Sequence, residues 1–195
     1  MLAIKMKNLL SKIKKCTICE PYLDFGANPV VTAHEDSKII IIGQAPGIKV
    51  HQSGIPWDDA SGKQLRKWLN VSEQDFYNVQ KFAIMPMGFC YPGKGKSGDK
   101  PPRKECAPQW HQQLFDKMPN LKMIILIGMY AQNYYLKDKA KTTLTETVNN
   151  YSDYLPKYFV IPHPSPRNRF WLTKNPWFEQ MVIPELQKRV ATIIT

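Results

Sequence analysis

No apolar run in the 195-residue chain approaches the roughly 20 residues that a membrane-spanning helix needs, which argues against an integral helical membrane protein. Met1 to Lys15 lack a signal-peptide cleavage pattern and mix lysines with apolar residues, so a cytoplasmic protein is expected. Cysteine is limited to four residues, and without a sign of export a disulfide framework is the less expected use for them. Acidic residues are also scarce. Sixteen Asp plus Glu stand against 27 Lys plus Arg, for a formal net charge of +11. Internal repeats and a domain boundary are both missing, and the length suits one domain over residues 1–195, expected as a monomer.

What is present describes a folded protein. Hydrophobic residues make up 43% and aromatics 11%, enough for a buried core without disulfide support. The excess of cations suits a polyanionic partner, because neutralising phosphates releases condensed counterions. Cations interleave with aromatics in Arg167-Asn168-Arg169-Phe170-Trp171, which favours a nucleic acid over a membrane surface. A soluble protein that is merely basic has the same charge.

Four short apolar runs read as strands: Lys38 to Ile42, about Val79 to Met85, Met123 to Ile127 and Tyr158 to Ile161. Between them lie helical patterns. Leu2, Ile4, Met6, Leu9, Leu10 and Ile13 fit an amphipathic N-terminal helix. Leu65, Trp68 and Leu69 follow Ser61, which is expected to cap their helix, and Ser72 precedes a second short one. Trp110, Leu114 and Met118 predict a helix ending before Pro119; Tyr130 to Leu136 and then Leu144, Val148 and Tyr151 predict two more. Phe178, Met181, Val182, Leu186 and Val190 mark a closing helix that Pro184 should kink. Tyr91 to Pro102, rich in Pro, Gly, Lys and Ser, reads as a mobile loop. Strands alternating with helices predict a three-layer α/β/α domain around a mostly parallel four-stranded sheet.

Two turns stand out because each follows a strand directly. Gly43-Gln44-Ala45-Pro46-Gly47 comes after Ile39 to Ile42, and His163-Pro164-Ser165-Pro166 after Tyr158 to Ile161. Ligands of open α/β sheets bind at the carboxyl ends of strands, so both turns are expected to face one crevice. The cysteines form a second group: Cys16 and Cys19 make a C-x-x-C pair, with Cys90 and Cys106 downstream. That spacing suits a shared metal centre, of zinc or iron–sulfur, or equally two buried thiols beside an accidental pair.

The two turns and four cysteines, in this order, resemble the uracil-DNA glycosylase superfamily and within it the iron–sulfur-containing family 4. The resemblance runs from about Cys16 to the final helix. It implies hydrolysis of the N-glycosidic bond of a uracil or other deaminated base flipped out of DNA, in base-excision repair. It implies that Gln44, with Gly43, Ala45, Pro46 and Gly47, positions a water against base and sugar. His163 would stabilise negative charge developing on the base carbonyl, with Ser165 in the same turn. Trp57 falls where an aromatic ring stacks on the flipped base, and Arg167 and Asn168 where the family pushes into the duplex. Cys16, Cys19, Cys90 and Cys106 match the ligands of a 4Fe-4S cluster of structural role, with zinc or no metal as the alternatives.

The chain departs from that family at defined positions. Gln44 stands where family 4 has Glu, and Ala45 where other branches have Asp; Asp58 and Asp59 are the nearest candidates to compensate. Pro86 stands where family 4 has an Asn that reads the base edge, with Asn78 and Gln80 nearby in sequence. Two further readings follow: a catalytically silent DNA-binding module, and a hydrolase of free nucleosides or nucleotides in the same pocket.

Overall fold

The computed structural model describes residues 5–195. Leu2 and Ile4 of the expected N-terminal helix lie outside that range. Helix α1, Met6–Lys14, buries Met6, Leu9 and Ile13 at helical spacing and turns its lysines outward. A long irregular segment then leads to strand β1, Ile39–Ile42.

Three helices follow. These are α2 (Ile48–Ser53), α3 (Ala60–Leu69) and α4 (Glu73–Phe76). The cap of α3 is Asp59, whose carboxylate accepts from the Gly62 N–H at 2.8 Å. Ser61, expected in that role, lies inside the helix instead. Ser72 caps α4 as the sequence suggests. Strand β2 is Phe82–Ile84, shorter than the predicted run.

The segment read as a mobile loop contains a small antiparallel hairpin, β3 (Lys94–Gly95) and β4 (Gly98–Asp99). Its base is held: Lys100 donates through its backbone to Gly93 and through its ammonium to Asp24 at 2.8 Å. Next comes a π-helical turn, Ala107–His111, running into α5, Gln112–Phe115, so the helix expected to reach Met118 stops earlier. Strand β5 (Met123–Ile127), α6 (Gly128–Leu136), α7 (Leu144–Asn149) and strand β6 (Tyr158–Ile161) complete the alternation. A Thr143–Glu146 capping box starts α7. Helix α8 is Arg169–Lys174, and α9, Ile183–Ile194, follows a π-helical turn over Phe178–Val182. Pro184, expected to kink the closing helix, falls instead in the first turn of α9, just after that wide turn, where its missing N–H is tolerated. Met181 points to solvent from the wide turn while Phe178 and Val182 are buried.

The strands form one sheet of order β2-β1-β5-β6, parallel throughout. Every residue of β1 is buried, as befits a sheet covered on both faces. Ile40, Ile42, Ile124 and Leu126 pack under α1, α5 and α6. Ile39, Ile41, Ile125 and Phe159 pack under α3, α7 and α9. The expected α/β/α layering is therefore present. The chain crosses from β1 to β2 on one side and places β5 on the other, so the order reverses between β1 and β5, where a crevice opens at the carboxyl ends.

Candidate active site

A cavity of about 460 Å³ lies at those carboxyl ends. The whole first turn, Gly43 to Gly47, lines it, and His163, Ser165 and Arg167 line it from the second. Turns far apart in the chain meet because the strands they terminate are nearly neighbours in the sheet. Trp57 joins them from the loop before α3.

Trp57 is held in place by the absence of side chains around it. Its backbone adopts the left-handed region, with φ 59°. Gly62 passes so near that a Cβ there would lie 1.7 Å from the Trp57 carbonyl oxygen. A Cβ on Gly43 would lie 2.9 Å from the indole ring. Arg66 donates to the Trp57 carbonyl at 3.4 Å, and the Tyr77 hydroxyl to that of Pro56 at 3.1 Å. Thus fixed, the half-buried indole lies with its centroid 5.6 Å from the His163 ring, tilted by 33°.

Burial pushes the His163 pKa below its ordinary 6.5, while the carboxylates of Asp59 and Asp99 push it back up. Burial prevails, so at neutral pH His163 is an uncharged imidazole with one N–H to donate. The turn around it is braced locally. Ser165 Oγ accepts from the Arg167 N–H at 3.2 Å, and Asn168 Nδ2 donates to the His163 carbonyl at 2.7 Å. Asn168 faces its own turn and does not line the cavity.

Gln44 presents an amide to the cavity. Its Nε2 donates to the Lys100 carbonyl at 3.4 Å, which leaves Oε1 as an acceptor. The Gly43 and Gln44 carbonyls accept from Met87 and Gly88, tying the turn to the segment after β2. Pro86 on that segment lines the cavity and has no N–H. Its carbonyl accepts from buried His111 Nε2 at 3.1 Å, and His111 Nδ1 pairs with the Tyr135 hydroxyl. Burial lowers the His111 pKa to about 4. The Pro86 wall therefore offers an occupant no polar hydrogen, and its one acceptor is already engaged.

Asp59, Ser61, Ser97, Gly98 and Asp99 also line the cavity. Asp59 stands out in the sequence as a compensating carboxylate; Asp58 beside it is exposed and does not line the cavity. Asn78 and Gln80 precede β2 and lie at the opposite end of the sheet. The three hairpin residues carry no sequence signal beyond polar composition, because strands of two residues show no alternation.

The four cysteines converge on a second, small cavity. Cys16, Cys19, Cys90 and Cys106 line it together with Leu23, Phe89 and Trp110. All four are free thiols. Burial raises the Cys90 pKa to about 11 and the Cys106 pKa to about 12. The Phe89 N–H donates to Cys106 Sγ at 3.4 Å, and Arg103 pairs with Glu105 at the cavity edge. As the side chains stand, no three His, Cys, Asp or Glu among the described residues are grouped to hold a metal ion.

The family model of the uracil DNA glycosylase superfamily matches residues 30–187. The chain belongs to the uracil DNA glycosylase superfamily. The match includes both turns, Trp57, Cys90 and Cys106, and begins after Cys16 and Cys19. Among curated proteins, the type-4 uracil-DNA glycosylase of Thermotoga maritima is 26% identical over 167 residues, covering 82% of this chain and 81% of that one. A solution NMR structure from Methanosarcina acetivorans, provisionally described as a uracil DNA glycosylase, is 16% identical with a TM-score of 0.46. It covers 81% of this chain and 94% of that one. Within the superfamily fold, this chain's cavity combines a neutral His163, an amide at Gln44 and two carboxylates, Asp59 and Asp99, contributed from outside the first turn.

Proposed function

We propose that this protein is a DNA glycosylase that hydrolyses the N-glycosidic bond of a flipped-out deaminated base. The observation that carries the reading is the meeting of both turns with Trp57 and an uncharged His163 on one cavity at the strand ends. The basic chain draws in the phosphate backbone, and Arg167 lies at the cavity rim to meet it. A base extruded from the stack enters the cavity. The Trp57 ring offers it a stacking face, worth roughly 1–3 kcal/mol. His163 donates its N–H to a base carbonyl, where charge gathers as the bond breaks. Gln44 holds a water through Oε1, which accepts but takes up no proton.

Cys16, Cys19, Cys90 and Cys106 would hold a 4Fe-4S cluster. The fit rests on the donor set, four soft thiols lining one cavity. Such a group supplies a structural cross-link between the N-terminal segment and residues 90–106. The protonated state of buried Cys90 and Cys106 means that loading releases protons. Iron and zinc analysis of anaerobically purified protein should find iron near stoichiometry; less than one equivalent of any metal would count against the cluster.

The deciding experiment is base release from oligonucleotides carrying uracil, xanthine or hypoxanthine, with His163→Ala and Gln44→Ala in parallel. Release by the parent and a loss of about 10²–10³-fold in His163→Ala are expected. A second reading, a DNA-binding module without turnover, is favoured by the amide at Gln44 and the featureless Pro86 wall. Salt-sensitive DNA binding with no release from any substrate would establish that module instead. Turnover of free nucleosides as fast as oligonucleotides would identify a nucleoside hydrolase.

A further inference from the structure

We infer that Asp99, delivered by the β3–β4 hairpin, is the carboxylate that takes the proton of the attacking water, replacing the one missing from the first turn. The inference rests on the glycosylase reading above. The second strand of the hairpin runs alongside the first turn, where Lys100 accepts from Gln44 Nε2 at 3.4 Å. One residue earlier, Asp99 Oδ2 lies 3.8 Å from the point that a Cβ on Gly47 would occupy. The acid therefore reaches the turn from the opposite wall. Its other oxygen, Oδ1, accepts from the Tyr91 hydroxyl at 3.4 Å, a contact that orients the carboxylate and leaves Oδ2 toward the cavity. Tyr91 is itself buried, so the orientation has a firm base.

The neighbouring carboxylates are differently engaged. Asp59 spends Oδ1 on the Gly62 N–H at 2.8 Å as a helix cap. Asp58 lies outside the cavity wall. Asp99 enters no ion pair among the described residues. Gln44 and Asp99 then act together on one water. The amide oxygen accepts one of its hydrogens and fixes the lone pair, and the carboxylate takes the other. Water oxygen bonds to the sugar carbon as the carbon–nitrogen bond breaks. The bond's electron pair leaves with the base, onto the carbonyl oxygen that His163 contacts. The water proton passes to Asp99 Oδ2 and is then returned to the departing base, so one water is added across the bond.

The test is single-turnover base release at saturating protein, with DNA binding and melting temperature measured alongside. Asp99 is exposed, so Asp99→Asn should fold as the parent does. It should bind DNA at least as tightly, yet release base about 10²–10⁴-fold more slowly. Asp99→Glu should recover part of that loss, and Tyr91→Phe should lose less than Asp99→Asn. A loss below threefold in Asp99→Asn, with an active parent, overturns the inference and leaves the glycosylase reading standing. No release by the parent overturns both. An NMR titration of His163 reads the geometry without turnover: Trp57 covers its ring, and Asp59 and Asp99 are the carboxylates that raise its pKa. Asp99→Asn should lower that pKa further; an unchanged value would also overturn the inference.

Discussion

The hydrogen atom on Gly62 sets the position of Trp57, since a Cβ there would overlap the Trp57 carbonyl at 1.7 Å. Gly62→Ala is therefore expected to cost at least about 1–3 kcal/mol, by the logic of overpacking, and to be seen as a lower melting temperature with slower base release. Neither glycine contact was legible from the sequence, which marks Trp57 by its motif but says nothing of what packs beside it. His111 makes a second residue-scale prediction. Its pKa falls from 6.5 unfolded to about 4 folded, so the unfolded chain binds the proton first as the pH drops. Stability due to neutral His111 should be complete above pH 6.5 and be lost as pH falls toward 4, by an amount on the order of 3 kcal/mol. Thermal melts across that range, flattened in His111→Phe, would check it. His163 is depressed in the same direction, so the rate component due to its neutral form should be constant above pH 6.5 and fall only in more acid solution.

Elements differed sharply in how much of them the sequence revealed. The four strands were legible because a parallel sheet covered on both faces demands unbroken β-branched runs, as in Ile39–Ile42. Helix α3 was legible from Leu65, Trp68 and Leu69, but its start was misjudged. Asp59, unlike Ser61, precedes the first helical turn at the spacing that lets its carboxylate reach Gly62. That cap separates two roles of one side chain. Asp59→Asn keeps a good cap and should hold the melting temperature, whereas Asp59→Ala should lose about 1 kcal/mol. If both variants melt alike, the cap contributes nothing. The hairpin and both π-helical turns escaped the sequence for a common reason: each is set by tertiary contacts and leaves no periodic pattern.

At the scale of the molecule, charge and topology were readable while the shape of the site was not. The family order of turns and cysteines located the cavity and pointed to Asp59, yet Asp99 came from a segment read only as a mobile loop. The net charge of +11 predicts that DNA affinity falls linearly on a log–log plot against salt concentration. Binding isotherms at several salt concentrations measure that slope, and a flat line would remove phosphate contacts from the account. One further consequence lies in residues 91–105, whose flanking Cys90 and Cys106 are both buried while Lys96 and Ser97 at the tip are exposed. Chain-closure entropy grows slowly, by only about 0.6 kcal/mol for each doubling of a loop, so stability would barely register an insertion at the tip. Asp99 would register it at once, because its distance from Gly47 is counted out along a short, pinned excursion. In this protein the length of a glycine- and lysine-rich loop acts as a ruler: changes that thermodynamics tolerates would move an acid out of reach of its water.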